Sequence, residues 1–264
     1  MAPASRDAAV CMTRTLNNRV VRIKNLGAKQ IVKKCVFTPK LIFIFAVAYF
    51  NSVHCYIPST EIAWITVVGK EGMIYRSSDG GNSWRPQDSG VMSDLLDVFF
   101  TSARDGAIVG ANATILQTSD GGRSWSSTPC GISSVQNATF MGLSVFAVSA
   151  GTSYFIVGQE GLLLLSTDGQ GATWTAMQIP PGCFASTSIG CSANTTWVTG
   201  TGVPDLLRVR FFDNLNGIIV GQSQNILITD DGGISFSVLQ PVDLSSTPGA
   251  YYSALDFDQV SNQP

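Results

Sequence analysis

The feature that most constrains this chain is a spacing. Four Val-Gly pairs, Val68-Gly69, Val109-Gly110, Val157-Gly158 and Val220-Gly221, are each followed, ten residues after the glycine, by an aspartate: Asp79, Asp120, Asp168 and Asp231. Each aspartate sits in a box that runs from a hydroxyl residue to an aromatic one. The boxes are Ser77, Asp79, Gly81 and Trp84; Thr118, Asp120, Gly122 and Trp125; Ser166, Asp168 and, one residue further along, Trp174; and Thr229, Asp231, Gly233 and Phe236. Self-similarity of this kind points to a repeat architecture.

Short apolar runs flank each Val-Gly pair: "AWIT", "GAI", "SYFI" and "GII" before it, "MIY", "TIL", "LLLL" and "NILI" after it. Runs this short, bounded by turn residues, read as strands. With an upstream strand such as "LLDVFF" or "LLRVRFF", each unit has four strands, which is the blade of a β-propeller. The expected fold is all-β, a propeller of about four four-stranded blades. The first unit lacks an obvious innermost strand, and the chain finishes on "YYSALDFDQV", which resembles "LLDVFF". One reading is that residues 251–258 supply that strand and close the ring. The alternative is an open fragment of a larger propeller.

The box has a local structural duty. A carboxylate between two strands accepts N–H bonds from its own turn, and glycines take backbone angles that a side chain resists. Calcium is the functional alternative, but a calcium loop needs several oxygen ligands and a closing Glu. Here one Asp is followed by Gly-Gly, so no metal and no cofactor is expected.

Charge divides the chain. Nine of its 16 Lys/Arg fall in residues 1–40 with one acid, Asp7, so the rest is acidic. An acidic body argues against nucleic acid, because phosphate binding needs Lys and Arg. The basic arm runs into "LIFIFAVAYF", residues 41–50, too short to span a bilayer. A basic stretch, a short apolar run and then polar residues is the layout of a targeting segment. The expected division is residues 1–57 as a basic arm with a targeting or anchor segment, cleaved as a signal or transit peptide or retained for membrane association through residues 41–57, and residues 58–264 as the propeller. Cys183 and Cys191 lie eight apart and form a candidate disulfide. Asn112, Asn137 and Asn194 head glycosylation sequons, relevant only in the secretory pathway.

The box is the Asp-box, or BNR repeat, of sialidases, sortilin-type receptors and several glycosidases. The fuller unit, with "AIVGANATILQTSDGGRSW" as its best stretch, resembles the photosystem II stability and assembly factors of plastids and cyanobacteria over residues 61–257. The resemblance implies a non-enzymatic propeller in or facing the thylakoid lumen, acting in photosynthesis, with a photosystem II reaction-centre subunit as its protein partner. That family has about seven blades and uses basic residues for its partner; four repeats and few basic residues are the departures here.

Propeller strands alternate in direction. The boxes therefore share one face with the turns between first and second strands. The turns between second and third strands share the other face with the blade-to-blade connections. That second face is the candidate partner surface, through Lys70, Glu71, Asn112, Gln159, Glu160 and Gln222, with Trp197 in the longest connection. The chain is expected to be no enzyme. The alternatives are a secreted or membrane-anchored Asp-box propeller binding glycans or extracellular ligands and, more weakly, a divergent glycosidase. A glycosidase needs two facing carboxylates, and Glu71 and Glu160 in equivalent turns are the only pair available. The single histidine, His54, lies beside the targeting segment.

Overall fold

A computed structural model of the chain describes residues 11–16, 19–24, 50–56, 64–148, 151–169, 171–179, 191–192, 202–213, 215–222, 226–238 and 254–258. Among these the regular structure is antiparallel sheet with three single-turn 3-10 segments. The strands are β1 (Cys11–Leu16), β2 (Arg19–Lys24), β3 (Phe50–Tyr56), β4 (Trp64–Gly69), β5 (Ile74–Ser77), β6 (Arg85–Gln87), β7 (Leu95–Phe100), β8 (Gly106–Gly110), β9 (Ile115–Thr118) and β10 (Ser126–Ser127). They continue with β11 (Phe140–Val148), β12 (Gly151–Gly158), β13 (Leu162–Ser166), β14 (Thr175–Gln178), β15 (Cys191–Ser192), β16 (Leu206–Phe211), β17 (Gly217–Gly221), β18 (Ile226–Thr229), β19 (Ser235–Val238) and β20 (Ala254–Asp258).

Four four-stranded meanders follow in sequence: β3 to β6, β7 to β10, β11 to β14, and β16 to β19, the last with β15 added outside β19. Their first strands, β3, β7, β11 and β16, lie side by side, which is the arrangement of a four-bladed propeller. The second strands β8 and β17 are apolar along their whole length, and β4 and β12 end on the buried apolar runs Val67-Val68 and Phe155-Ile156-Val157, because both faces of each sheet are covered there. One core cluster joins Val68 and Ile74 of the first sheet to Leu95, Val98 and Ile108 of the second. A second joins Val109 and Ile115 to Phe140, Leu143 and Leu164. A third joins Phe155 and Leu163 to Val209, Phe211 and Phe236.

The Val-Gly glycines now have a reason. Gly69, Gly110, Gly158 and Gly221 pair with Phe50, Leu95, Phe140 and Leu206, the first residue of each inner strand. The register slips by one residue just after each pairing, at Phe50/Ser52, Leu95/Asp97, Phe140/Gly142 and Leu206/Arg208. This is the same bulge four times, and it pulls the incoming chain against the glycine. A Cβ on Gly110 would stand 2.1 Å from the Asp94 carbonyl oxygen, one on Gly158 2.3 Å from that of Thr139, and one on Gly221 2.5 Å from that of Asp205.

One sequence expectation is corrected. Residues 251–258 do not supply the inner strand of the first sheet: β3 holds that place, paired with β4 from Phe50↔Gly69 to Tyr56↔Trp64. Ala254–Asp258 pairs instead with β2, in a three-stranded sheet β1-β2-β20, and lies against β16. "FNSVHCY" abuts the most apolar run of the chain, so it reads as the end of a targeting segment rather than as a strand. The sheets thus begin before residue 58, where the sequence places the domain boundary. Among the described residues no helix is long and apolar enough to cross a membrane. Most of the apolar run lies outside the described residues.

Candidate functional site

The box turns are built alike. In the first, the Ser77 hydroxyl donates to Asp79 Oδ1 at 2.7 Å and accepts from the Gly81 N–H at 2.8 Å. The Ser83 N–H donates to Asp79 Oδ1 at 2.9 Å and its hydroxyl to Oδ2 at 2.6 Å. Trp84 Nε1 donates to the Gly81 carbonyl at 3.0 Å and closes the hairpin. Thr118, Gly122 and Ser124 repeat the pattern around Asp120, and Thr229, Gly233 and Ser235 around Asp231. In the third box the extra residue shifts the donors to Gly171, Ala172 and Thr173, with Ser166 still donating to Asp168 at 3.0 Å. The aromatic residues pack locally: Trp125 edge-on to Phe100, Trp174 edge-on to Tyr154, and Phe236 fully buried.

These donors stabilise the ionised carboxylates. The Ser83 hydroxyl first, then its N–H, and further the Ser77 hydroxyl and the Asn82 N–H, hold Asp79 at about 2 against an ordinary 3.8. The Ser124 hydroxyl leads a similar set that pulls Asp120 down further. For Asp231 burial pushes upward, and the Ser235 hydroxyl and N–H, with Thr229 and Ile234, more than offset it. A depressed carboxylate contributes stability above its unfolded value and loses it as the pH falls through the folded one. The melting temperature should therefore hold from neutrality to about pH 4 and fall between about pH 4 and pH 2, with Ser83→Ala moving the fall to higher pH. A melting temperature flat across that window would remove the carboxylates from the stability of the fold. Among the described residues no group of three His, Cys, Asp or Glu is arranged to hold a metal ion.

The boxes lie with the turns between first and second strands: the Gly121 N–H donates to the Arg104 carbonyl at 2.7 Å and the Gly232 N–H to that of Leu215 at 2.8 Å. On the opposite face the turns between second and third strands latch each sheet to the next. Gly72 N–H reaches the Ser93 carbonyl, Ala113 N–H that of Ala138, and Gly161 N–H that of Pro204. To make this reach, Glu71, Asn112 and Glu160 take positive φ values of 54°, 54° and 50°, which non-glycine residues rarely adopt. Asp94 accepts from the Glu71 N–H and Asp205 from the Glu160 N–H, both at 3.0 Å, and Gln222 donates to Asp205 Oδ2 at 2.8 Å. Gln159 Oε1 accepts from the Thr139 N–H at 3.2 Å. Lys70 is exposed beside Glu71. In this set the backbone N–H groups of Glu71 and Glu160 reach the next sheet, whereas those of Gln159 and Gln222 bond to the Thr139 and Asp205 carbonyls, just ahead of the inner strand of their own sheet.

Asn112 is exposed and donates to the Ser93 hydroxyl at 3.3 Å, while the sequon's Thr114 is buried and donates to the Ala111 carbonyl. Asn137 is exposed in the connection before β11. Asn194, Cys183 and Trp197 lie outside the described residues. Of Cys191 the backbone is described, in β15, and Cys130 is a buried free thiol.

Two clusters escape sequence reasoning. The first lies between the inner strands. Asp97 is buried and accepts from the Ser52 hydroxyl of β3 at 2.7 Å and the Leu143 N–H of β11 at 2.9 Å, so one side chain ties three sheets. Beside it His54 of β3 rests against Phe99, over which the Arg210 guanidinium lies at 4.6 Å. His54 Nδ1 is buried and has no hydrogen-bond partner among the described residues. Burial, then Arg210, push the His54 ring down to about 4, against Asp97. His54 is therefore an inner-strand residue held neutral.

The second cluster lies on the box face, between the first and second sheets. Arg76, in β5 just before the first box, lays its guanidinium over Trp64 at 4.9 Å. It makes no hydrogen bond or ion pair with a side chain among the described residues. Burial, then Arg123, lower its pKa, and Asp120 opposes them. Arg104 donates to the Ser119 carbonyl and Arg123 to that of Asp120 on the same hairpin. A half-buried guanidinium stacked on Trp64, beside Gly121 of the second box and within electrostatic reach of Arg123, is a group suited to an anion such as a carboxylate. The sequence carries no signal for this meeting, because Arg76 goes with the first box and Arg123 with the second.

Against known families, residues 82–183 match the photosynthesis system II assembly factor YCF48. The chain is a BNR-type propeller that resembles this assembly factor. Two solved structures are similar to the propeller. A structure described as YCF48 bound to D1 peptide is 16% identical, with 77% of this chain and 70% of the other covered at a TM-score of 0.43. YCF48 from Cyanidioschyzon merolae is 14% identical, with 73% and 85% covered at a TM-score of 0.37. No curated protein matches significantly.

Proposed function

We propose that this propeller is a non-catalytic protein-binding module that acts in photosystem II assembly, with a reaction-centre subunit as its partner. The observation that carries the reading is the family match over residues 82–183, which spans the second and third boxes with their Val-Gly turns. Two features of the site agree with it. The box carboxylates are saturated by their own turns and so are poor acids or bases, and the lone histidine is neutral with a buried, unbonded Nδ1. Arg76, over Trp64 and beside Arg123, offers a carboxylate-binding group on the box face. The turn face carrying Lys70, Glu71, Asn112, Gln159, Glu160 and Gln222 serves mainly to latch the sheets. The N-terminal segment then delivers the chain to the thylakoid, and processing that spares β3 falls before Phe50.

The test is direct binding to the full chain of a D1 peptide, the ligand that the similar YCF48 structure is described as holding. Arg76→Glu should weaken binding about tenfold, roughly 1.4 kcal/mol, while the melting temperature stays unchanged. Absence of binding by the unaltered chain would overturn the partner assignment, and N-glycans on the natural protein would overturn the compartment.

A further inference from the structure

The fourth sheet departs from the other three in three ways that converge on one edge. First, it alone carries a fifth strand: β15, from the connection between β14 and β16, adds antiparallel to the outer edge of β19, with Cys191 opposite Phe236 and Ser192 opposite Ser235. Second, its box carries Phe236 where the others carry Trp. In the first three sheets the outer strand begins after the tryptophan, at Arg85, Ser126 and Thr175, whereas β19 begins at Ser235 and takes the box aromatic into the sheet. Third, the position two before that aromatic is Asn82, Arg123 and Ala172 in the first three boxes and Ile234 here, 67% exposed. Ile234 shares the hairpin with Gly232, whose N–H donates to the carbonyl of Leu215, itself 48% exposed. Of the three large apolar side chains exposed among the described residues, Ile234 directly precedes β19, and Leu215 lies in the β16–β17 turn against which the β18–β19 hairpin rests.

An outer edge that already accepts a strand, with the exposed Ile234 at its start, has the two elements of strand-addition recognition: a backbone edge for affinity and a side-chain contact for selectivity. We infer that the edge of β19 is a peptide-binding site for an extended partner segment with apolar residues at alternate positions, and that β15 is a built-in occupant that such a segment displaces. Among the described residues the pairing of β15 involves two residues, so a longer strand with an apolar side chain over Ile234 competes effectively with it. Alternation matters because side chains two apart share one face of a strand. The inference rests on the protein-binding reading for the existence of a partner, but not on its identity or on Arg76.

The test uses the full chain and a labelled peptide of residues 188–195, which contains β15. Ser192→Pro removes the backbone N–H of β15 and prevents its pairing. A second variant, with residues 186–198 replaced by a Gly-Ser linker of equal length, removes β15 without relying on that substitution. The labelled peptide should bind either variant at least tenfold more tightly than it binds the unaltered chain. Ile234→Asp, added to either variant, should reverse at least tenfold of that gain. Amide exchange at Phe236 should slow on peptide binding. Equal binding to the unaltered chain and to both variants, or no binding to any, overturns the inference. The protein-binding reading is judged separately: a D1 peptide bound equally by the unaltered chain, the linker variant and its Ile234→Asp derivative leaves that reading standing while strand addition at β19 falls.

Discussion

Asp97→Ala should destabilise the chain by about 3–5 kcal/mol, a large share of the stability of a domain. The carboxylate is 7% exposed and is the shared acceptor of the Ser52 hydroxyl and the Leu143 N–H, with the Val98 N–H at 3.1 Å as a third donor. Removing it leaves the buried Val98 and Leu143 N–H groups and the half-buried Ser52 hydroxyl, on three neighbouring strands, without this acceptor, and each buried donor costs about 1–3 kcal/mol. Asp97→Asn separates charge from geometry. One oxygen remains for the Ser52 hydroxyl and the Val98 N–H, while the amide NH2 confronts the Leu143 N–H, so the loss should be about half as large. Denaturant unfolding of the three proteins checks the order. A midpoint for Asp97→Ala within error of the unaltered chain would mean that the first three sheets are not joined through this residue.

Gly110→Ala is the second large effect, expected at about 2–4 kcal/mol as overpacking against backbone. The glycine lies in ordinary extended backbone, so conformational freedom is not the issue. Its added Cβ would meet the Asp94 carbonyl oxygen at 2.1 Å and the Leu95 Cα at 3.0 Å, and neither is the flexible end of a side chain. The inner strand of the second sheet would have to move away from β8, and the Ala111 N–H bond to the same Asp94 carbonyl, 2.8 Å, would go with it. Gly80→Ala is the control. Gly80 has a positive φ of 69° but nothing within 4 Å of an added Cβ, so its substitution should cost only the backbone strain, about 1 kcal/mol. Thermal melts of both variants decide it: a loss for Gly110→Ala no larger than that for Gly80→Ala would mean that close approach of the inner strand is not what requires glycine at the Val-Gly positions.

Much of the scaffold is legible in the letters because its causes are local. The box Ser or Thr, Asp and hydroxyl partner bond within five residues of one another, so their spacing alone states the turn. Four equal intervals from Val-Gly to Asp imply equal strands and thus equal sheets. The division into two faces follows from strand alternation, and the hydrogen bonds of Gly121 and Gly232 on one side and of Gly72, Ala113 and Gly161 on the other agree with it.

Other features have causes far apart in the chain. Ser52, Asp97 and Leu143 meet across 45 and 46 residues, and nothing in "LLDVFF" distinguishes its Asp from an exposed strand residue. His54 reads as part of a processing site until β3 pairs with β4 and sets it against Phe99. Arg76 is one arginine among others until the second sheet brings Arg123 beside it. The turn residues Glu71 and Glu160 read as free charges on a binding face, because a sequence does not reveal that their backbones must bend to positive φ to reach the next sheet.

By itself, then, the sequence determined the repeat, the four-stranded unit, the turn chemistry and the existence of two faces, since each rests on short-range bonds and on periodicity. Only the tertiary structure decided which strand lies innermost in the first sheet, where the C-terminal strand pairs, which polar groups meet between the inner strands, and that the fourth sheet gains a strand. Those outcomes depend on which edges are left unpaired once the sheets stand side by side, a property of the assembled sheets that no single repeat contains.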